Sequence, residues 1–175
     1  MCYFTAAVGP KGYDYSKYAY VDEKENLCIQ LQHVENLFIE TQLPKNSLCL
    51  ITDNACACSS VIGSGLKDYV EDLEAGQDQL KKRWWWSKER FKQRKEDWYQ
   101  ERMAERHEAQ SWVDIIQKVL KSGPGYFGLL RYWGTGEFQK EEIKIKGTTE
   151  IHLKQVNEKF FRVIERDKLY LIFPD

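Results

Sequence analysis

Apolar and polar positions divide this chain into three parts that have different periodicities. In the first third, the stretches that predict β-strands are residues 2–8, 27–33, 37–41 and 48–52. Residues 27–33 alternate apolar and polar side chains with a period of two, which is typical of a half-buried strand. Residues 48–52 form a compact apolar run, so we expect them to lie in the centre of a sheet.

The last third of the chain returns to short apolar runs. Residues 126–133 are rich in aromatic side chains and predict a strand that ends at a glycine-containing turn. Residues 143–145 and 151–153 flank a turn and predict one hairpin, and residues 160–164 and 169–173 predict a second hairpin.

The middle of the chain predicts helix, since residues 66–121 contain no proline and a single glycine, Gly76. Apolar residues recur there at multiples of seven, at Trp84, Phe91, Trp98, Trp112 and Val119. That stripe is too narrow for a helix inside a core, except near its end, where the apolar face broadens. We expect a helix or turn at 66–75, a long exposed helix at 77–107 and a packed helix at 109–121. The pattern leaves open whether the last two are continuous.

Strands at both ends and helix in the middle predict an α+β fold. We expect an antiparallel or mixed sheet built from the N- and C-terminal thirds, with a long helical hairpin or helix at about 66–121 inserted between them. The 175 residues fit one domain, residues 1–175, and the charged helical segment 77–107 is predicted to protrude from it.

Composition and charge restrict the partners and the cellular compartment that we expect for this protein. The formal net charge is −1, so the net charge of the molecule predicts no electrostatic attraction to nucleic acid or to an anionic membrane. No apolar stretch is long enough to span a bilayer, and the N-terminal residues lack the basic region of a secretory signal. The five cysteines are an odd number, which favours free thiols and hence a cytoplasmic location.

Two cysteines one residue apart, Cys56 and Cys58, follow a predicted strand end and a turn. Two thiolates at that spacing can contribute to a Zn²⁺ site, with Cys2 as a third candidate ligand, although a second ligand pair is not visible in the sequence. An alternative for Cys2 is an N-terminal nucleophile exposed by removal of Met1. Cys28 and Cys49 lie in predicted strands and are expected to be buried small side chains.

The opening Met1-Cys2-Tyr3-Phe4, the segment 43–52 and the Cys56-x-Cys58 pair form an ordered set of motifs. Over about residues 1–65 this set resembles a loosely defined group of short uncharacterised bacterial proteins, which open with the same tetrapeptide and carry a Cys-x-Cys after the third strand. The resemblance implies a bacterial source and a shared role for the N-terminal cysteines. It implies no activity.

Between Lys81 and Lys95, eight Lys or Arg residues stand against the single acidic residue Glu89, interleaved with aromatic side chains. Trp and Arg are favoured anchors at protein interfaces, so this stretch predicts a contact with another protein. The candidate binding residues are Lys81, Lys82, Arg83, Trp84, Trp85, Lys88, Arg90, Phe91, Lys92 and Arg94.

Other interpretations of the basic-aromatic stretch stay open. Residues 81–95 also suit phosphate contact and base stacking in nucleic acid, or an anionic membrane surface. The helix, basic at one end and acidic at the other, could pair with a second copy of itself as a homodimer, or its aromatic stripe could simply pack on the domain.

Common enzyme motifs such as Gly-x-Gly-x-x-Gly, the P-loop and His-Glu-x-x-His do not occur in the chain. The leading hypothesis is therefore a small cytoplasmic binding protein of the inhibitor, immunity or adaptor type that acts through its aromatic-basic helix. One alternative is a thiol- or metal-dependent protein that uses Cys56, Cys58 and Cys2, and another is a nucleic-acid-binding protein.

Overall fold

The computed structural model describes residues 2–22, 27–52, 61–62 and 87–175. For a few of these residues only the backbone is described, namely Cys2, 21–22, 27–28, Lys95, 98–99 and 101–105.

The described strands are β1 (Cys2–Pro10), β2 (Tyr20–Asp22), β3 (Leu27–Ile29), β4 (Leu31–His33), β5 (Ser47–Thr52), β6 (Phe127–Gly134), β7 (Gly147–His152) and β8 (Lys168–Phe173). The helices are α1 (Leu37–Glu40), α2 (Lys88–Lys121) and α3 (Glu158–Val163), with short 3₁₀ turns at Phe138–Lys140 and Leu153–Gln155.

Six strands form one mixed sheet in the order β4-β5-β1-β6-β8-β7, and β2 pairs with β3 separately. All neighbours in the larger sheet are antiparallel except β7 and β8, which are parallel. The sheet combines strands from both ends of the chain and α2 lies between them in sequence, so the predicted α+β class is confirmed.

Side chains cover both faces of this sheet. Successive residues of β1 point to opposite sides, so that Ala7 lies in one buried cluster and its neighbours Ala6 and Val8 in the other. The first cluster contains the C-terminal half of α2, from Ala109 to Leu120, together with α3. The second contains Ile39 of α1 and the segment after β6, including Phe138 and Ile143.

The helix α2 is continuous for 34 residues. It therefore joins the charged segment and the packed segment into one element from Lys88 onward. Ser87 caps its first turn, because the Ser87 hydroxyl accepts a hydrogen bond from the N–H of Arg90 at 3.1 Å. The part of the middle region predicted at 66–86 lies outside the described residues.

Three strand predictions are wrong. The predicted range 37–41 contains the whole of the short helix α1 instead of a strand. Its N-cap Asn36 accepts a hydrogen bond from Ile39 N–H at 3.1 Å. Residues 160–164 belong largely to α3, which Asn157 caps in the same way. In both cases an asparagine side chain caps the first turn and so favours a helix. This local effect decides the structure, although the apolar run by itself predicts a strand.

The third error concerns residues 143–145, which form no strand and no hairpin with β7. Instead, the side-chain amide of Gln42 accepts from Ile145 N–H at 2.8 Å and donates to the carbonyl of Ile143 at 2.8 Å. A side chain thus takes the place of a strand neighbour. The real partner of β7 is β8, which runs parallel to it because α3 separates the two strands in the chain.

Candidate surface at the start of helix α2

The first two turns of α2 carry the described part of the predicted contact surface. Lys88, Arg90, Lys92 and Arg94 are all exposed there, and Phe91 is partly exposed. Lys88 and Arg94 lie three positions before and after Phe91, so both are its neighbours on the helix surface. The structure therefore brings these five residues together, and we call them the α2 basic surface. Lys81, Lys82, Arg83, Trp84 and Trp85 lie outside the described residues.

Basic residues dominate this surface. Lys88, Lys92 and Arg94 have no carboxylate within salt-bridge distance in the described part of the chain. The start of a helix carries a partial positive charge, so lysine and arginine in the first turn, here Lys88 and Arg90, are electrostatically unfavourable for the helix itself. For Lys88, no ion pair with the described residues compensates this cost.

An acidic and amide-rich segment follows directly. Gln93 donates to the Asp97 carboxylate at 2.8 Å, and Gln100 donates to the Glu96 carboxylate at 2.8 Å. Both pairs are four residues apart on one side of the helix. On the described part of α2, the basic residues that precede this segment therefore span about two turns.

Burial of α2 begins further along the helix. No side chain described between Lys88 and His107 is buried, whereas Glu108, Ala109, Ser111 and Trp112 are all buried. Twenty residues separate Lys88 from Glu108, which is a helix length of about 30 Å. The α2 basic surface thus lies on a long helix whose C-terminal half is packed into the core.

Polar contacts hold the helix at the point where it becomes buried. The Glu108 carboxylate accepts a hydrogen bond from Val61 N–H at 2.7 Å, and Tyr20 Oη lies 3.0 Å from Nε2 of His107. Arg106 reaches Glu158 of α3 at 3.5 Å, and Glu158 also pairs with the buried Arg162 at 3.0 Å.

Sequence reasoning missed these anchoring residues. His107 has charged neighbours in the sequence, but it is partly buried against Tyr20. Glu108 looked like one more acid in a charged run, and its burial depends on Val61, which lies 47 positions away. A usable signal was its place one residue before the broad apolar face of α2, where a helix side chain meets the domain.

The cysteines give no assembled site in the described residues. Cys56 and Cys58 lie outside them, and only the backbone of Cys2 is described, where it pairs with Gly134. Cys49 is fully buried, as expected, and burial raises the pKa of its thiol to about 12. Cys49 is therefore a protonated core side chain at neutral pH and not a thiolate ligand.

The structure contains no group of three or more His, Cys, Asp or Glu side chains placed to hold a metal ion within the ranges described. The zinc hypothesis for Cys56, Cys58 and Cys2 stays a prediction. Among the described helices, none combines the length and apolar character that crossing a bilayer requires.

Comparison of the chain with known proteins found no matching family model, no matching curated protein and no matching solved structure. The resemblance of residues 1–65 to a group of short bacterial proteins therefore stays a prediction.

Proposed function

We propose that this protein works by binding another protein, and that the α2 basic surface contacts an acidic patch on that partner. The observation that carries the proposal is the exposure of Lys88, Arg90, Lys92 and Arg94 around Phe91 on a helix whose far half is fixed in the core. Arginine and aromatic side chains are favoured anchors at protein interfaces.

The electrostatics of the helix support a partner of opposite charge. Residues 88–94 carry four basic side chains and one acidic side chain, Glu89. In the first turn, Lys88 and Arg90 interact unfavourably with the helix dipole, and an acidic partner would offset that interaction. Lys88 forms no ion pair within the described residues that would compensate it, and such a departure from a local rule is typical of a functional position.

The change from basic to acidic side chains along the described part of α2 favours protein over nucleic acid. A nucleic-acid backbone presents phosphates at regular intervals along its whole length. Two turns beyond Lys88, such a backbone would meet Glu96 and Asp97, which are fixed on the same helix by Gln100 and Gln93. A compact acidic patch on a folded partner requires no extended basic track.

The proposal assigns the protein to a bacterial cytosol, in an inhibitor, immunity or adaptor role. A reducing compartment suits the buried free thiol of Cys49. In such roles one protein surface recognises another without chemistry of its own.

Charge reversal tests the proposal. The Lys88→Glu/Arg90→Glu/Lys92→Glu variant replaces three positive charges of the α2 basic surface. A matched control is Lys45→Glu/Lys144→Glu/Lys154→Glu, because these three lysines are also exposed and the change in net charge is the same. Each protein, immobilised after a check of folding by circular dichroism, would be used to capture partners from bacterial lysate with and without nuclease treatment.

We expect the wild type and the control to retain the same protein in comparable amount and the reversal variant to lose it. Equal capture by all three proteins would contradict the proposal. Retention that disappears on nuclease treatment, with affinity for a single-stranded oligonucleotide that falls steeply with salt, would favour the nucleic-acid alternative. A concentration-dependent dimer in sedimentation, lost in the reversal variant alone, would instead identify a second copy of this chain as the partner.

A further inference from the structure

A second surface, on the sheet and away from the α2 basic surface, contains polar groups whose hydrogen bonds the described chain leaves unmade. Arg131 of β6 lies opposite Thr5 of β1 in the register of the two antiparallel strands. Directly opposed residues on neighbouring strands have their Cβ atoms about 5 Å apart, so the two side chains share one region of the sheet face. That face is the one that α2 covers further along, where Ala7 and Leu129 are buried.

The guanidinium of Arg131 is only partly satisfied. Nη1 donates to the carbonyl of Ile62 at 3.1 Å, and the guanidinium carbon lies 4.7 Å from the centre of the Tyr3 ring. The Nε donor is enclosed and has no hydrogen-bond acceptor. No Asp or Glu of the described residues forms a salt bridge with Arg131.

The hydroxyl of Thr5 is in the same condition. Thr5 is 6% exposed, and its Oγ1 is enclosed without a hydrogen-bond partner among the described residues. The neighbouring Thr52 does not supply one, because its own hydroxyl donates to the backbone carbonyl of Thr5 at 3.1 Å. An enclosed hydroxyl that makes no hydrogen bond destabilises the fold, because its hydrogen bonds to water are lost on folding.

Positive charge exceeds negative charge around this point. Asp167 is the described carboxylate that influences Arg131, and it already accepts from Lys146 at 2.7 Å and from Arg166 at 2.9 Å. Burial lowers the pKa of Arg131 from its ordinary value, but a guanidinium stays cationic at physiological pH. Among the described residues, Arg131 therefore has no ion-pair partner and the Thr5 hydroxyl has no hydrogen-bond partner.

We propose that Arg131 and Thr5 form a binding site for a small molecule that carries an oxyanion, either a carboxylate or a phosphate. A guanidinium edge recognises two oxygens of such a group at once, and a threonine hydroxyl donates to a third position. The rim of the site is aromatic, since Trp133 packs edge-on against Tyr3 with ring centres 4.6 Å apart and is 39% exposed. A planar apolar part of the ligand would lie on Trp133.

Occupancy requires a side-chain shift, because Nε of Arg131 is enclosed. Trp133 lies on the rim and is more exposed than Tyr3 and Arg131. Its ring is therefore the side chain that would shift to admit the ligand. This inference does not depend on the proposed function, because no residue of the α2 basic surface takes part.

Nuclear magnetic resonance of the ¹⁵N-labelled protein tests the site through the Nε–Hε signal of Arg131, which Arg131→Gln identifies by removing it. The probes are inorganic phosphate, acetate and benzoate, each against sodium chloride at matched ionic strength. The variants are Thr5→Val, which keeps the shape and removes the hydroxyl, Thr5→Ser, which keeps a hydroxyl, and Lys45→Gln, an exposed residue of the turn before β5, as a control outside both proposed sites.

We expect the Arg131 signal to move saturably with at least one oxyanion and not with chloride. Thr5→Val should bind about tenfold more weakly, since one charge-assisted hydrogen bond is lost, while Thr5→Ser and Lys45→Gln bind like the wild type. Phosphate and acetate distinguish the two oxyanion classes, and tighter binding of benzoate than acetate would assign the aromatic contact to Trp133. A signal that none of the three probes moves, or equal affinity of Thr5→Val and the wild type, would overturn the proposal.

Discussion

The carboxylate of Glu108 accepts a hydrogen bond from the backbone N–H of Val61 at 2.7 Å, across 47 positions of the chain. This contact lies where α2 passes from exposed to buried, because Glu108 is 7% exposed and the side chains described before it on the helix are not buried. It fixes the helix against the segment 61–62, whose two side chains are both in the core.

Removal of that carboxylate should destabilise the fold. Glu108→Ala leaves the Val61 N–H enclosed without its acceptor, which costs about 1–3 kcal/mol in the free energy of unfolding. Glu108→Gln keeps a carbonyl acceptor at the same place, so its loss should be smaller. Urea denaturation of the three proteins measures both changes. An alanine variant as stable as the glutamine variant would show that the contact contributes little.

A second prediction concerns Asp167 and pH. Burial acts to raise the pKa of this carboxyl, but hydrogen bonds from Lys146 and Arg166 outweigh it and hold the pKa below its usual value. A lowered folded pKa means that the contribution to stability is present above the unfolded pKa of about 3.9 and is lost as the pH falls through the folded pKa. Both partner side chains are substantially exposed, so we expect about 1 kcal/mol or less at pH 7.

The matched substitution is Asp167→Asn. Asp167 has a φ of 61°, a left-handed conformation that asparagine also adopts, so this change removes the charge without adding backbone strain. Urea denaturation should show the wild type more stable than the variant at pH 7 and the difference vanishing at acidic pH below the usual range of a carboxyl. A difference that is the same at both pH values would refute the ion-pair explanation.

A third prediction follows from the charges at the two ends of α2. Lys88→Glu places a negative charge in the first turn, where the helix dipole favours it, and should stabilise that turn by about 0.3–1 kcal/mol. Lys118→Glu places the same charge in the last turn and should have the opposite effect. Hydrogen exchange of the amides in each turn, measured at low salt, reports both changes.

The two substitutions change the net charge by the same amount, so a general charge effect would change the amide protection of both turns in the same direction. Protection that rises at the start of α2 and falls at its end would show that the native basic residues at the start are tolerated at a cost in stability. Unchanged protection in Lys88→Glu would remove that argument for a functional surface.

Much of the sheet could be predicted from local pattern. The apolar runs that became β1, β5, β6 and β8 are short, bounded by turn residues and buried on both faces, which leaves few alternatives to a strand. The class followed because these runs lie at the two ends of the chain and a proline-free, charged stretch lies between them.

Two of the three errors have a common physical origin, because each depends on a partner distant in sequence, whereas α3 begins at the local cap Asn157. Asn36 starts α1 while its Nδ2 donates to the carbonyl of Glu141 at 3.0 Å, across 105 positions. Gln42 replaces a strand neighbour for Ile143 and Ile145 across about a hundred positions. Hydrophobic periodicity reports neither contact, so the short helix and the irregular segment both looked like strands.

The two candidate surfaces also differ in whether the sequence alone can predict them. The α2 basic surface could be found from sequence because charge and aromatic content are local properties of residues 88–94. The Arg131 site could not, since it depends on the register between β1 and β6 and on the missing partners of Thr5 and Arg131. A single arginine in an aromatic strand gives no such indication by itself.

The most direct test of the central claim is the hydrogen-exchange footprint of the captured partner on α2. We predict that binding increases the protection of backbone amides in residues 88–97 and leaves residues 108–121, which are already packed in the core, unchanged. Protection that appears elsewhere on the domain while residues 88–97 exchange as in the free protein would contradict the claim that the start of α2 is the contact surface.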